Sequence, residues 1–165
     1  MPFTPYHFGP ALLLGVIFFP FLDIIALLIS SVILDIEPLI ILVIGTGQPL
    51  HGIMHTYLVA TLVAMLVSAI IWLLRGPLYQ FLSLFGIDQE ASKMRIVISS
   101  LIGTNSHVLL DSFIYPEMNP FFPIMGNPFL GLIATAAIYQ FCLICGVAGI
   151  IVYMFRFLIK KSSNE

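Results

Sequence analysis

The sequence predicts an all-α protein, a polytopic integral membrane bundle of about four to five helices with a short or re-entrant N-terminal hairpin. Three observations predict it. Apolar residues fill 60% of the 165 positions and charged residues only 8%, against about 25% charged in a soluble domain. The mean hydropathy is +1.11. Three apolar runs are long enough to cross a hydrocarbon core of about 30 Å. A single membrane-embedded domain over 1–165 is expected. The net charge of −2 excludes a nucleic-acid partner bound through basic patches.

The elements follow in chain order. MPFTPYHFGP has no basic n-region, so no cleavable signal peptide is expected. Runs 10–19 and 22–34 are apolar but short, and Pro20 divides them. At about 1.5 Å per residue each reaches only about 15–20 Å, which predicts a hairpin of short or tilted helices. The run 39–44 is shorter still, and GTGQP at 45–49 is a loop. That loop lacks the Lys and the preceding strand of a phosphate-binding P-loop. Runs 56–74, 96–114 and 130–153 are the three spans.

Basic residues orient the bundle. There are six: Arg75, Lys93, Arg95, Arg156, Lys160 and Lys161. They bracket the segment GPLYQFLSLFGIDQEASK or lie in a basic tail, 156–165. The excess of Lys and Arg on the cytoplasmic side of membranes predicts that both regions are cytoplasmic. A multi-pass cell-membrane protein is expected, with the remaining helix ends outside. Cys142 and Cys145 form a C-x-x-C inside an apolar run, with no His, Asp or Lys near them. They are expected to pack as small residues rather than as a redox pair or half a metal site.

All four histidines, His7, His51, His55 and His107, fall at predicted outer helix ends, with Asp35, Glu37, Asp111 and Glu117. No Lys or Arg is predicted on that side. Ionisable groups in membrane segments are costly and mark functional sites, and a cation would relieve the repulsion among these carboxylates. His51 and His55 stand i,i+4, about 40° apart on a helix face, and His107 and Asp111 repeat the spacing. Ser100 and Thr104 extend that stripe inward. The expected ligands are His7, Asp35, His51, His55, His107 and Asp111. Imidazole with carboxylate suits a divalent metal, zinc favoured, with manganese or iron compatible, as one or two ions. Glu37 is the expected general base or a second carboxylate ligand. Glu117, in the loop YPEMNP, is expected to be solvated.

Four segments carry a family likeness: YHFGPALL at His7, LDIEP at Asp35–Glu37, HGIMHT at His51–His55, and SHVLLDSFIYP at His107–Asp111. Over residues 5–125 the chain resembles the prokaryotic membrane-bound metal-dependent hydrolases, described as LexA-binding and inner-membrane-associated. The S-H-x-x-x-D segment is the most specific match. The chain departs from the family pattern in having Gly52 where an Arg follows the first His. Its two histidines also stand one residue closer, and Glu37 replaces a second Asp. The resemblance implies metal-dependent hydrolysis, because the family's metal motifs are similar to those of zinc-dependent phospholipase C.

A lipid or amphiphilic phosphoester is the expected substrate class, with membrane lipid as the partner. The aromatic and Pro-rich segment FIYPEMNPFFPIMGNPF, next to the site, suits a membrane interface. The alternative is a metal-ion transporter or channel using the same His/Asp site. That reading needs a polar path inward, and nothing acidic continues the stripe below Ser100. Asp23, near Pro20, is expected at a hairpin tip. An intramembrane metalloprotease is excluded by the lack of H-E-x-x-H.

Overall fold

The computed structural model describes residues 5–45, 47, 49–90 and 92–162. Every regular element among them is helical. The helices are α1 (Phe8–Ile17), α2 (Ile24–Ser30), α3 (Ile36–Ile44), α4 (Tyr57–Leu73), α5 (Arg75–Ser83), α6 (Lys93–Ser112) and α7 (Thr135–Ser162).

Pro20 separates α1 from α2, as expected, and Asp23 starts the second helix by accepting a hydrogen bond from the Ala26 N–H at 3.0 Å. The two short helices pack as a hairpin around Ala11, Leu22 and Leu27. The next expectation needs correction, because α2 does not end before an isolated short run. One irregular turn, Ile33–Asp35, joins it to α3, and Ile24–Ile44 together forms one of two segments long and apolar enough to cross a membrane. Pro38 does not stop the chain there. It sits in the first turn of α3, after the cap residue Asp35, where a backbone N–H has no helical partner to lose.

The other expected spans shift too. Thr56 caps α4, its hydroxyl accepting from the Val59 N–H at 3.2 Å. At Leu74 the chain bends by 77° into α5. Helix α7 begins at Thr135 rather than at 130, after a turn that holds Gly131 at φ +71°. It supplies the second apolar segment, Thr135–Ile159. It also runs to Ser162, so Arg156 lies on a helix instead of in a separate tail. Residues 163–165 are outside the described residues. The run expected at 96–114 is the 20-residue α6. It is not one of the two apolar segments, because one whole face of it is polar.

Helix α6 lies between α2 and α4, and α1 lies between α2 and α7. Close approach needs small residues at the crossings. A Cβ on Gly103 would stand 2.7 Å from the Ser30 Cβ, and one on Gly9 would stand 2.1 Å from the Cys142 carbonyl oxygen. Cys142 and Cys145 are buried and free, so the C-x-x-C serves this α1–α7 contact. Large apolar side chains face outward: Leu62 is 63% exposed, Leu73 76% and Ile144 66%. The buried set is rich instead in His, Asp, Ser and Thr.

The bundle has two chemically different ends. At one, Arg75 and Lys93 flank the Trp72 ring at 4.2 and 4.9 Å, and Arg156 covers Phe19 at 4.3 Å. At the other lie the N-terminal ends of α1 and α4, the α2–α3 junction and the C-terminal end of α6. The histidines gather there.

Candidate metal centre

Three separate stretches of chain build the site. Helix α6 contributes His107 and Asp111, one turn apart and buried; the His107 Nε2 lies 3.2 Å from Asp111 Oδ2. This i,i+4 pair is as expected from the sequence. The turn between α2 and α3 contributes Asp35, whose Oδ1 lies 3.6 Å from the same Nε2. The turn before α4 contributes His55, whose Nε2 lies 3.3 Å from His107 Nε2 and 3.8 Å from Asp111 Oδ2. One donor atom from each of Asp35, His55, His107 and Asp111 lies within 4.8 Å of the others, so this buried group could hold a metal ion.

His51 and His55 reach the site by a route that the helical spacing did not anticipate. Thr56 starts α4 after them, and Ile53–His55 is a single 3-10 turn. The two rings meet edge to face at 4.8 Å between centroids rather than lining one helix face. Asp35 closes a 3-10 turn and Glu37 sits in the first turn of α3.

The outer nitrogens decide what the inner ones can do. His107 Nδ1 lies 2.7 Å from the Ser31 carbonyl oxygen. A carbonyl only accepts, so Nδ1 carries the proton and donates. His55 Nδ1 lies 2.9 Å from Glu37 Oε2. That carboxylate also accepts from the Gly52 and Met54 N–H groups, at 3.0 and 3.3 Å, so His55 Nδ1 is the donor as well. In the neutral rings both Nε2 atoms are therefore bare lone pairs. They face each other at 3.3 Å beside two carboxylates. Burial holds the His55 imidazole below its ordinary range, which favours the neutral form of that ring.

Two further histidines surround Asp111. His7 Nε2 lies 3.1 Å from Oδ1, and the ring stacks on His107 at 3.9 Å. His51 Nε2 lies 3.8 Å from Oδ2, and its ring stacks on Tyr115 at 3.7 Å. Neither joins the four-residue group. Sequence reasoning missed Glu117. It is not merely solvated, because its Oε1 lies 2.9 Å from His51 Nδ1, which repeats the Glu37–His55 pairing. Its place six residues after Asp111, in a loop of turn-forming residues, gave no periodic signal to follow.

The comparisons with known proteins add no name to this geometry. No family model matches the chain, and no curated protein or solved structure is similar to it. The site is therefore interpreted from its own chemistry. Two imidazole nitrogens and two carboxylate oxygens form a donor set of the kind that binds divalent transition metals.

Proposed function

We propose that the protein is a membrane-embedded, metal-dependent hydrolase acting on a lipid or amphiphilic phosphoester. One observation carries the reading: two lone pairs, from His55 and His107, converge with two carboxylates in a buried site, and a cation resolves that arrangement. Zinc is the favoured ion, since four N and O ligands match its tetrahedral preference. A bound divalent ion supplies hydroxide near neutral pH and polarises the bond under attack.

The chain's own residues do the rest. His55, His107, Asp35 and Asp111 are the ligands. Glu37 and Glu117 fix the tautomer and direction of His55 and His51, the part that carboxylates behind histidine ligands play in metal sites. We therefore assign Glu37 as a positioning residue in place of the general base expected from sequence. His7 and His51, facing Asp111, are placed to hold a second ion or a substrate oxygen. Exposed Phe121, Phe122, Ile124 and Met125 crown this end and hold the site at the lipid interface. The membrane reading rests on the apolar exterior and the two apolar segments. The positive-inside bias puts the basic end in the cytoplasm and the metal centre outside.

Purified protein should contain zinc and cleave a phosphodiester reporter. His107→Ala and Asp111→Ala should each lose most of the metal and the hydrolysis. Unchanged metal content in both variants would remove the reading. Metal transport is the rival, and Asp23 bears on it. This acid lies beside Ser99, its N–H donating to the Ser99 hydroxyl at 2.7 Å. Both its carboxylate oxygens are committed, however, to the Ala26 N–H and the Tyr79 hydroxyl. Metal flux into liposomes, with no hydrolysis of monoester, diester or carboxylic ester, would favour the transporter.

A further inference from the structure

Below the metal centre, the buried face of α6 carries Ser99, Ser100, Gly103 and Thr104 against α2, and α2 answers with Ser30 and Ser31. Small residues alone would be packing. Two hydroxyls are not accounted for that way. Ser30 Oγ and Ser100 Oγ are fully buried and have no hydrogen-bond partner among the described residues. A serine on a helix normally satisfies its hydroxyl on a carbonyl one turn back, as Thr104 does with Ser100 and Ser68 with Ala64. Alanine would fill the same space with no polar group to desolvate. Buried hydroxyls without protein partners are the groups that ordered water bridges.

The seam also leads somewhere. Its upper end is His107, tied to Ser31. Its lower end is Asp23, tied to Ser99 and Tyr79. Beyond Asp23, Gln89 bonds the Phe19 and Leu22 carbonyls at 2.8 Å, and Arg95 reaches the Pro20 carbonyl at the basic end. From Ser99 to His107 is eight residues of helix, about 12 Å. Over that length the two facing helices offer hydroxyls but no carboxylate or imidazole. A divalent cation stripped of water needs several charged or carbonyl ligands. A proton needs only a chain of hydroxyls and water.

We propose that the α2–α6 seam is a proton path joining the His/Asp centre to the basic end of the bundle. The need for one rests on the hydrolase reading. When water cleaves a phosphodiester, its oxygen joins phosphorus as the bond to the leaving alkoxide breaks. One water proton goes to that alkoxide, and the other stays on the new monoester. The second pKa of a monoester is about 6, so at neutral pH that proton is released at each turnover. The seam carries it from the buried His/Asp centre to the basic end.

The test uses the full-length protein in proteoliposomes, with a trapped pH dye and the membrane potential clamped by potassium and valinomycin. Wild type should dissipate an imposed pH gradient faster than protein-free vesicles. Ser30→Ala/Ser100→Ala should fall to the protein-free rate while keeping the wild-type metal content and melting temperature. Each single variant should lie between. A double variant that leaks at the wild-type rate overturns the path. So does a wild type no leakier than empty vesicles, whatever the variants do. Metal content and diester hydrolysis are assayed on the same preparations in detergent. Their loss with the serine-dependent leak intact would overturn the hydrolase alone.

Discussion

On the proposed function, Glu37 matters without touching the reacting atoms. Both its oxygens are engaged, by His55 and by the N–H groups of Gly52 and Met54. Glu37→Gln keeps the shape but offers an amide where two N–H groups and an imidazole N–H all need an acceptor. A lost partner behind a histidine ligand typically costs about 10–100-fold in metal affinity or activity. Glu37→Gln should therefore weaken metal binding by that range, as read by competition with a chelating dye. A general base would behave differently: metal binding would be unchanged and hydrolysis would fall by about 10²–10⁴. Gly52 belongs to the same device, since a Cβ there would stand 2.7 Å from Glu37 Oε1. A side chain at position 52 would push that carboxylate off His55.

The same geometry fixes a pH dependence. Histidine binds metal only as the neutral ring. Burial lowers the His55 pKa, so its neutral form persists to lower pH than that of a free histidine, which is half protonated near 6.5. In the metal-free protein the His55 ring should stay neutral on descent through about 6.5 and take up its proton only below it. The pH dependence of its ring-nitrogen shifts checks the sign; half-protonation at or above about 6.5 would contradict it.

Among the elements, the pairing of α1 with α7 is the most exposed to mutation. Gly9 lies on the Cys142 carbonyl, with the Gly146 nitrogen 3.0 Å from a Cβ built at Gly9. Gly9→Ala puts a methyl into backbone that has nowhere to go. Overpacking of this kind costs about 1–3 kcal/mol, and a lowered midpoint of thermal unfolding in detergent measures it. Cys142→Ala at the same contact should cost less than Gly9→Ala, because it only removes one buried sulfur that is in no disulfide.

Legibility differed by element for physical reasons. His107 and Asp111 could be placed from spacing because α6 is regular through both. The spacing of His51 and His55 suggested a helix face, but Thr56 captures the start of α4 and leaves both on the turn before it. The break at Pro20 was readable, while Pro38 reads the same in one dimension and does the opposite, since only its position in a first turn makes it harmless. Glu117 was misplaced because it works through a contact distant in sequence, with His51, and Asp23, although at the hairpin turn as expected, has a distant contact with Ser99 that spacing does not show. No local pattern records such partners.

At the scale of the whole molecule, charge is divided between the ends. Arg75, Lys93, Arg95 and Arg156 mark one end, and the four imidazoles with Asp35, Glu37, Asp111 and Glu117 the other. If the positive-inside rule holds here, a cysteine at Ser162→Cys in intact cells should resist an impermeant thiol reagent and react once the cells are opened. Wild type controls for Cys142 and Cys145, both buried. Labelling of intact cells would invert the topology and put the metal centre in the cytoplasm.

The dispersal of the site over three stretches of chain also sets an order of events during synthesis. Asp35 and His55 leave the ribosome first, and His107 follows 107 − 55 = 52 residues after His55. At about 5–20 residues per second, the early half of the centre waits several seconds with its carboxylate and imidazole unmatched at the edge of the lipid. On the proposed function, an ion could be held only after α6 has brought His107 and Asp111 to the other two ligands. A nascent chain arrested with residue 100 at the membrane should therefore bind no zinc, and one released past residue 115 should acquire it.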